Sequence, residues 1–178
     1  MELLSQKVLQ SYNCDDEAYK CANRPDANPF DWEMYRVRQR KMEELIQKFS
    51  YRITDTIKVL SNPNAKEDVI SVITTLIFRL RTLLMRKEIA WDEVINSQEI
   101  PVGTEEELGV LMQKFSKQAL DTLRVFLDSS SSCEVIIPVI QSFLLSLQRV
   151  LTPRLNSFAE VEQELKKRSE NRFFMYSD

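Results

Sequence analysis

The chain has 178 residues, 43% of them hydrophobic and 29% charged, a balance that is typical of one folded domain and argues against a disordered chain. Its two glycines, Gly103 and Gly109, argue against a sheet protein and against a glycine-rich nucleotide loop, because both structures depend on glycine's access to positive φ. The net charge of −3 gives no support for a nucleic-acid binder, since such proteins usually carry a basic excess.

The cysteines and the N-terminus favour an intracellular protein, cytoplasmic or nuclear. An odd number of cysteines without CxxC spacing is typical of a reducing compartment. The cysteines are Cys14, Cys21 and Cys133. Residues 1–7 lack the basic region and the long apolar core of a signal peptide. The most apolar run, residues 69–85, contains Arg79 and Arg81, so we interpret it as a buried helix and expect no transmembrane segment.

Residues 1–28 are predicted to be an N-terminal segment that precedes a helical bundle domain of residues 29–178. Within this segment, residues 3–12 carry apolar side chains at helical spacing, which predicts a short amphipathic helix, and the rest is predicted to be a polar loop. The bundle then begins with a clear helix start. Asn28 suits the N-cap, and Pro29 suits the first helical position, where its missing N–H costs nothing.

The first helix of the bundle is predicted to run to about Leu60. Its expected apolar face consists of Phe30, Met34, Val37, Leu45, Phe49, Ile53, Ile57 and Leu60. The tripeptide Asn28-Pro29-Phe30 also resembles the NPF peptide that EH domains bind, over three residues only. We favour a helix start with Phe30 facing the core over a docking motif, and the direction of the Phe30 side chain separates the two interpretations.

Residues 66–87 are predicted to form a helix that is apolar around most of its circumference. Its two neighbouring stripes are Val69, Ile73, Leu76, Leu80 and Leu83, and Ile70, Ile77 and Leu84. Such a helix has to be surrounded, so we expect it at the centre of the bundle. Residues 136–151 are almost as apolar and predict a second central helix, with Pro138 in its first turn.

The remaining elements complete an all-α prediction. A short helix is expected near residues 89–96, and Thr104 with Glu107 forms a capping box that predicts the start of the next long helix. Ser157 and Glu160 form a second capping box ahead of a charged C-terminal helix. With short links and no convincing strand, the sequence predicts a single-domain antiparallel bundle of about five main helices plus short accessory helices.

The residue inventory argues against an enzyme, a metal site or a bound cofactor. The chain has no histidine, which excludes Ser-His-Asp and Cys-His catalysis and His-ligated zinc. Three scattered cysteines cannot supply the four thiolates of an all-cysteine zinc site. Paired carboxylates are frequent, but they lie on predicted polar helix faces, where solvated side chains are the simpler interpretation.

The predicted function is therefore a non-enzymatic protein–protein interaction module: an adaptor, a scaffold or a regulatory subunit, with a second copy of the chain among its potential partners. The candidate partner-binding residues are Trp32, Tyr35, Arg36, Arg40, Arg79, Arg81, Phe173, Phe174 and Tyr176. Arginine and aromatic side chains are enriched in interface hot spots. The aromatic C-terminal residues either fold back on the bundle or dock a second subunit.

The alternative function is binding of nucleic acid or an anionic surface through the basic cluster of residues 36–41. Ion pairing of this cluster with Glu33, Glu43 and Glu44 is the simpler expectation, because these acids lie close in sequence on the same predicted helix.

Overall fold

The structure is a computed structural model that describes residues 23–26, 28–62, 64, 66–95, 106–152 and 159–170. Within these ranges the chain forms six helices and no strand, which confirms the predicted all-α bundle. The helices are α1 (Pro29–Ser61), α2 (Lys66–Arg86), α3 (Trp91–Ile95), α4 (Leu108–Leu127), α5 (Cys133–Leu151) and α6 (Ala159–Glu170). The predicted helix at residues 3–12 and the tail residues Phe173, Phe174 and Tyr176 lie outside the described residues.

Two antiparallel hairpins make the bundle. Helices α1 and α2 pack along each other, and so do α4 and α5. The hairpins meet where α1 packs on α4, while α6 lies on α2 and the short α3 lies on α5. The two most apolar helices are therefore each covered on a further side by a shorter helix, as their broad apolar surfaces require.

The start of α1 confirms the prediction from sequence. Asn28 is the N-cap, and its side chain Oδ1 accepts a hydrogen bond from the backbone N–H of Asp31 at 3.1 Å. The backbone N–H of Asn28 donates in return to Asp31 Oδ2 at 3.2 Å, which completes a capping box. Pro29 occupies the first helical position, where no hydrogen-bond partner is lost.

Burial confirms the central position of α2. Every residue of its first predicted stripe is buried to 1% exposure or less, as are Ile77 and Leu84 of the second stripe. Helix α5 buries a comparable set of side chains: Ile136, Ile140, Phe143, Leu144, Leu147, Val150 and Leu151. By length and composition α5 would also suffice to cross a membrane, but it packs against α3 and α4, and its apolar face belongs to the core.

Three aromatic rings connect the two hairpins. The Phe143 ring on α5 contacts the Phe49 ring on α1 edge-on, with centroids 6.0 Å apart, and the Phe115 ring on α4 at 5.4 Å. All three side chains are fully buried. Offset and edge-on ring pairs add to the stabilisation that burial alone provides. This cluster is where the described core joins helices from both hairpins.

The buried hydroxyl groups are satisfied within their own helices. Thr56, Thr74 and Thr122 each donate to the backbone carbonyl four residues earlier, at distances of 2.7, 2.6 and 2.8 Å. Ser146 donates to the carbonyl of Phe143 at 2.8 Å. Each hydroxyl therefore enters the core without the cost of an unmade hydrogen bond.

Two predicted helix starts differ from the structure. Glu107, expected in the first turn of its helix, has an extended backbone and is itself the N-cap of α4, so it does not occupy the predicted capping-box position. Thr104 and Ser157 lie outside the described residues. Helix α5 begins at Cys133, which places Pro138 in the second turn. The proline is exposed there, so the carbonyl that loses its helical donor lies near water.

Helix α2 ends in a Schellman motif without the usual glycine. The N–H of Ile89 donates to the Leu84 carbonyl at 3.0 Å, and the N–H of Glu88 donates to the Met85 carbonyl at 3.1 Å. Glu88 has a φ of 57°, the left-handed conformation that favours glycine. The side chain of Ile89 is buried at 3% exposure, which fixes the direction in which the chain leaves the helix.

We expect Glu88→Gly to raise the free energy of unfolding by about 0.5–1 kcal/mol, because glycine adopts this φ without a steric penalty. Urea unfolding followed by circular dichroism measures the change. Glu88→Ala is the control, since it removes the same carboxylate but keeps a Cβ, and it should give no comparable gain. Equal shifts in both variants would attribute the effect to the charge and contradict the prediction.

Candidate interaction surface

The first three turns of α1 stand apart from the core. Helix α1 has 33 residues and the antiparallel α2 has 21, so α1 continues about 12 residues, or about 18 Å, past its partner. The first buried residue of α1 is Met42, and none of residues 29–41 is buried. We call residues 29–41 the α1 extension. None of its side chains belongs to the buried core, and Met34, Tyr35 and Val37 are only half-buried, so its contribution to the fold is small.

Aromatic side chains are exposed on this extension. Phe30 is 46% exposed and Trp32 is 40% exposed, so the prediction that Phe30 faces the core is wrong. The reason is the length of α1, which carries the start of the periodic pattern beyond the packed part of the bundle. Tyr35 is half-buried and contacts the Trp32 ring edge-on, with centroids 6.2 Å apart. This contact restricts the indole while leaving much of it accessible.

Basic side chains lie on the same side of the extension as Trp32. We call Trp32, Arg36 and Arg40 the α1 stripe. Trp32, Arg36 and Arg40 follow at four-residue steps, which places them on one side of the helix, and all three are exposed. Within the described residues, Arg36 and Arg40 make no ion pair shorter than 4.0 Å. The expected pairing with Glu33, Glu43 and Glu44 is therefore not formed there. The stripe combines an accessible indole with two guanidinium groups that remain open to a partner.

Arg79 and Arg81 lie in a different part of the bundle. Both are half-buried on α2, and their guanidinium groups lie against aromatic rings. The Arg81 guanidinium lies 4.4 Å from the centroid of the Trp91 ring on α3, and the Arg79 guanidinium lies 5.7 Å from that of Phe78. The structure thus does not bring these two arginines together with the α1 stripe. Stacking on Trp91 is a structural role for Arg81 that the sequence did not indicate.

Burial has an electrostatic consequence for Arg81. Desolvation lowers the pKa of its guanidinium, and the negative charges of Glu162 and Asp92 partly oppose that change. Its Nε atom is buried and has no hydrogen-bond partner in the described part of the chain. Because the ordinary pKa of arginine is far above neutral, the group stays charged. Arg81 is therefore a partly desolvated cation that lies against Trp91 of α3 and interacts with the negative charge of Glu162 on α6.

A cleft between α4 and α5 has no counterpart in the sequence prediction. Its volume is about 330 Å³. The residues that line it are Leu111, Lys114, Lys117 and Gln118 from α4, and Ser142, Leu145, Ser146 and Arg149 from α5. The lining thus contains three basic side chains and no acidic one. Each helix contributes residues at three- and four-residue steps, a spacing that also describes ordinary packing faces, so no sequence signal separates them.

No cluster of potential metal ligands accompanies these surfaces in the described part of the chain. Among the described residues, no three Cys, Asp or Glu side chains lie close enough together to hold a metal ion. The lowered pKa values of the described carboxylates have ordinary causes. The pKa of Asp128, for example, is lowered mainly by hydrogen bonds from the Ser130 hydroxyl and backbone N–H. Such a group caps a turn and gives no reason to assign it chemistry.

Comparison of the chain with protein-family models, with curated proteins and with solved structures finds no significant match.

Proposed function

We propose that the protein is a non-enzymatic interaction module, acting as an adaptor, scaffold or regulatory subunit inside the cell. The partner binds the exposed stripe of the α1 extension. The supporting observation is that Trp32, Arg36 and Arg40 are exposed along one side of a helix segment that contributes nothing to the buried core. Tryptophan and arginine are the residue types most enriched among interface hot spots.

Charge favours an acidic partner protein. The α1 extension carries four basic and two acidic side chains, although the chain as a whole has a net charge of −3. A locally basic surface on an acidic protein attracts acidic partners and repels other basic surfaces. An acidic surface with an apolar recess for the indole matches both features of the stripe.

We expect Arg36→Gln with Arg40→Gln to reduce capture of the partner at least about tenfold, because a contact that buries a charge pair loses affinity when one charge is removed. The measurement is affinity capture by the purified full chain from its native cells, quantified by mass spectrometry. Each protein that the double variant no longer captures is then purified and titrated against the wild-type chain. The bundle should keep its melting temperature, since surface substitutions of this kind usually change stability by less than about 0.5 kcal/mol.

The matched control is Lys58→Gln with Arg86→Gln, which removes two exposed charges elsewhere on α1 and α2. It should leave capture unchanged. A captured set that is the same for wild type and both variants would overturn the proposal. A strictly monomeric chain that captures no protein at all would do so as well.

Nucleic acid or an anionic surface is the second candidate, because the exposed Arg36 and Arg40 suit phosphates too. Fluorescence anisotropy with single-stranded RNA and duplex DNA distinguishes the candidates. Binding to duplex DNA through its phosphates weakens steeply with added salt and loses little when Trp32 is changed to alanine. A protein partner that uses the indole should instead lose most of its affinity in Trp32→Ala.

A further inference from the structure

The cleft between α4 and α5 concentrates positive charge in a small volume. Lys114 and Lys117 approach it from α4, and Arg149 approaches it from α5. Arg149 is half-buried, and Lys114 and Lys117 are exposed. Within the described residues, Lys117 and Arg149 have no hydrogen bond or ion pair. Two cations that make no hydrogen bond or ion pair among the described residues thus line one cleft.

An anion of the protein itself already lies beside this cleft. The Lys114 ammonium donates to both carboxylate oxygens of Glu106, at 2.7 and 2.8 Å. The hydrogen bond from Lys114 and the positive charges of Lys114 and Arg149 lower the pKa of Glu106. The same charges would stabilise any carboxylate or phosphate in this position. Glu106 thereby shows that the local electrostatics favour an oxyanion.

The other residues that line the cleft indicate which further groups a ligand would carry. The Ser142 hydroxyl and the Gln118 amide offer neutral hydrogen-bond donors. Leu111 and Leu145 provide apolar wall, so a ligand with a short hydrocarbon part is favoured over a bare ion. The volume of about 330 Å³ is at the lower end of the roughly 300–1,000 Å³ that small-molecule sites occupy.

We propose that the cleft between α4 and α5 is a binding site for a small organic oxyanion, a carboxylate or phosphate monoester on a short apolar chain. The planar guanidinium of Arg149 binds the anion, and Lys117 supplies a second positive charge. Glu106 competes with the anion for Lys114. This site is separate in sequence from the α1 extension and does not depend on the proposed partner.

The test is titration of the isotope-labelled full chain with butyl phosphate, hexanoate and inorganic phosphate, followed by NMR at low and moderate salt. We expect saturable shifts confined to α4 and α5, with butyl phosphate or hexanoate binding more tightly than inorganic phosphate. Lys117→Gln with Arg149→Gln should weaken binding about tenfold or more. The control Lys58→Gln with Arg86→Gln removes the same charge elsewhere and should leave binding unchanged.

A second variant is expected to increase the affinity for the oxyanion, a result that a folding defect cannot produce. Glu106→Gln removes the competing carboxylate and releases Lys114, so it should tighten oxyanion binding several-fold. Non-saturable shifts spread over the whole chain, or equal weakening by the cleft variant and the control, would overturn the proposal. Binding to vesicles containing phosphatidic acid without binding to the soluble anions would overturn it as well.

Discussion

Phe143→Ala is expected to lower the free energy of unfolding by about 3–5 kcal/mol, a large share of the stability of a domain of this size. Phe143 has no exposed surface, and its ring contacts Phe49 on α1 and Phe115 on α4. Removing the ring forfeits its burial and both aromatic contacts, and it leaves a cavity where two hairpins meet. Little relaxation is available, because helices approach this point from three sides.

Urea unfolding monitored by circular dichroism measures this loss as a shift of the midpoint. Tyr51→Ala is the control, since Tyr51 is 62% exposed and its hydroxyl accepts a hydrogen bond from the exposed Gln47 amide at 3.3 Å. It should cost less than about 0.5 kcal/mol. A shift for Phe143→Ala no larger than that of Tyr51→Ala would show that the aromatic cluster does not hold the hairpins together.

Local patterns made the helices predictable. The stripes of α2 and α5 were predictable because a helix with apolar side chains on several sides has no stable position outside a core. The start of α1 was equally clear, because the cap requires only neighbouring residues: Asn28, Pro29 and Asp31. At Glu107 the local pattern failed, because the helix begins one residue after it.

The surfaces depend on contacts between distant residues, which periodicity cannot supply. Phe30 has the spacing of a core residue, but the extent of α2 decides that the core begins only at Met42. The sequence places Arg81 within the most apolar run, whereas its stacking on Trp91 requires the turn at Glu88 to bring Trp91 back beside α2. The cleft of Lys114 and Arg149 exists only once α4 and α5 pair.

Among the helices of more than five residues, α6 has the fewest buried side chains in the described part of the chain. In the described residues it buries Val161 and Leu165 against α2. Arg168 adds hydrogen bonds to the hydroxyl groups of Thr75 and Ser71, at 3.0 and 3.1 Å. Two buried aliphatic side chains contribute roughly 3–6 kcal/mol, and hydrogen bonds at a partly exposed site contribute less.

Val161→Asp is therefore expected to release α6 while the rest of the bundle stays folded. A carboxylate at this fully buried position costs several kcal/mol, which offsets most or all of the docking energy. An undocked helix of 12 residues is marginal in water, so α6 should also lose its helical structure. Hydrogen exchange followed by mass spectrometry should show lost protection in residues 159–170 and retained protection in α1, α2, α4 and α5.

The matched control for this release is Gln163→Asp, which adds the same charge two residues further along α6 at an exposed position. Its carboxylate stays hydrated, so protection of residues 159–170 should remain at the wild-type level. If Val161→Asp also keeps that protection, contacts other than the buried Val161 hold α6 on α2. If it removes protection everywhere, α6 is part of the cooperative core, and the bundle cannot fold without it.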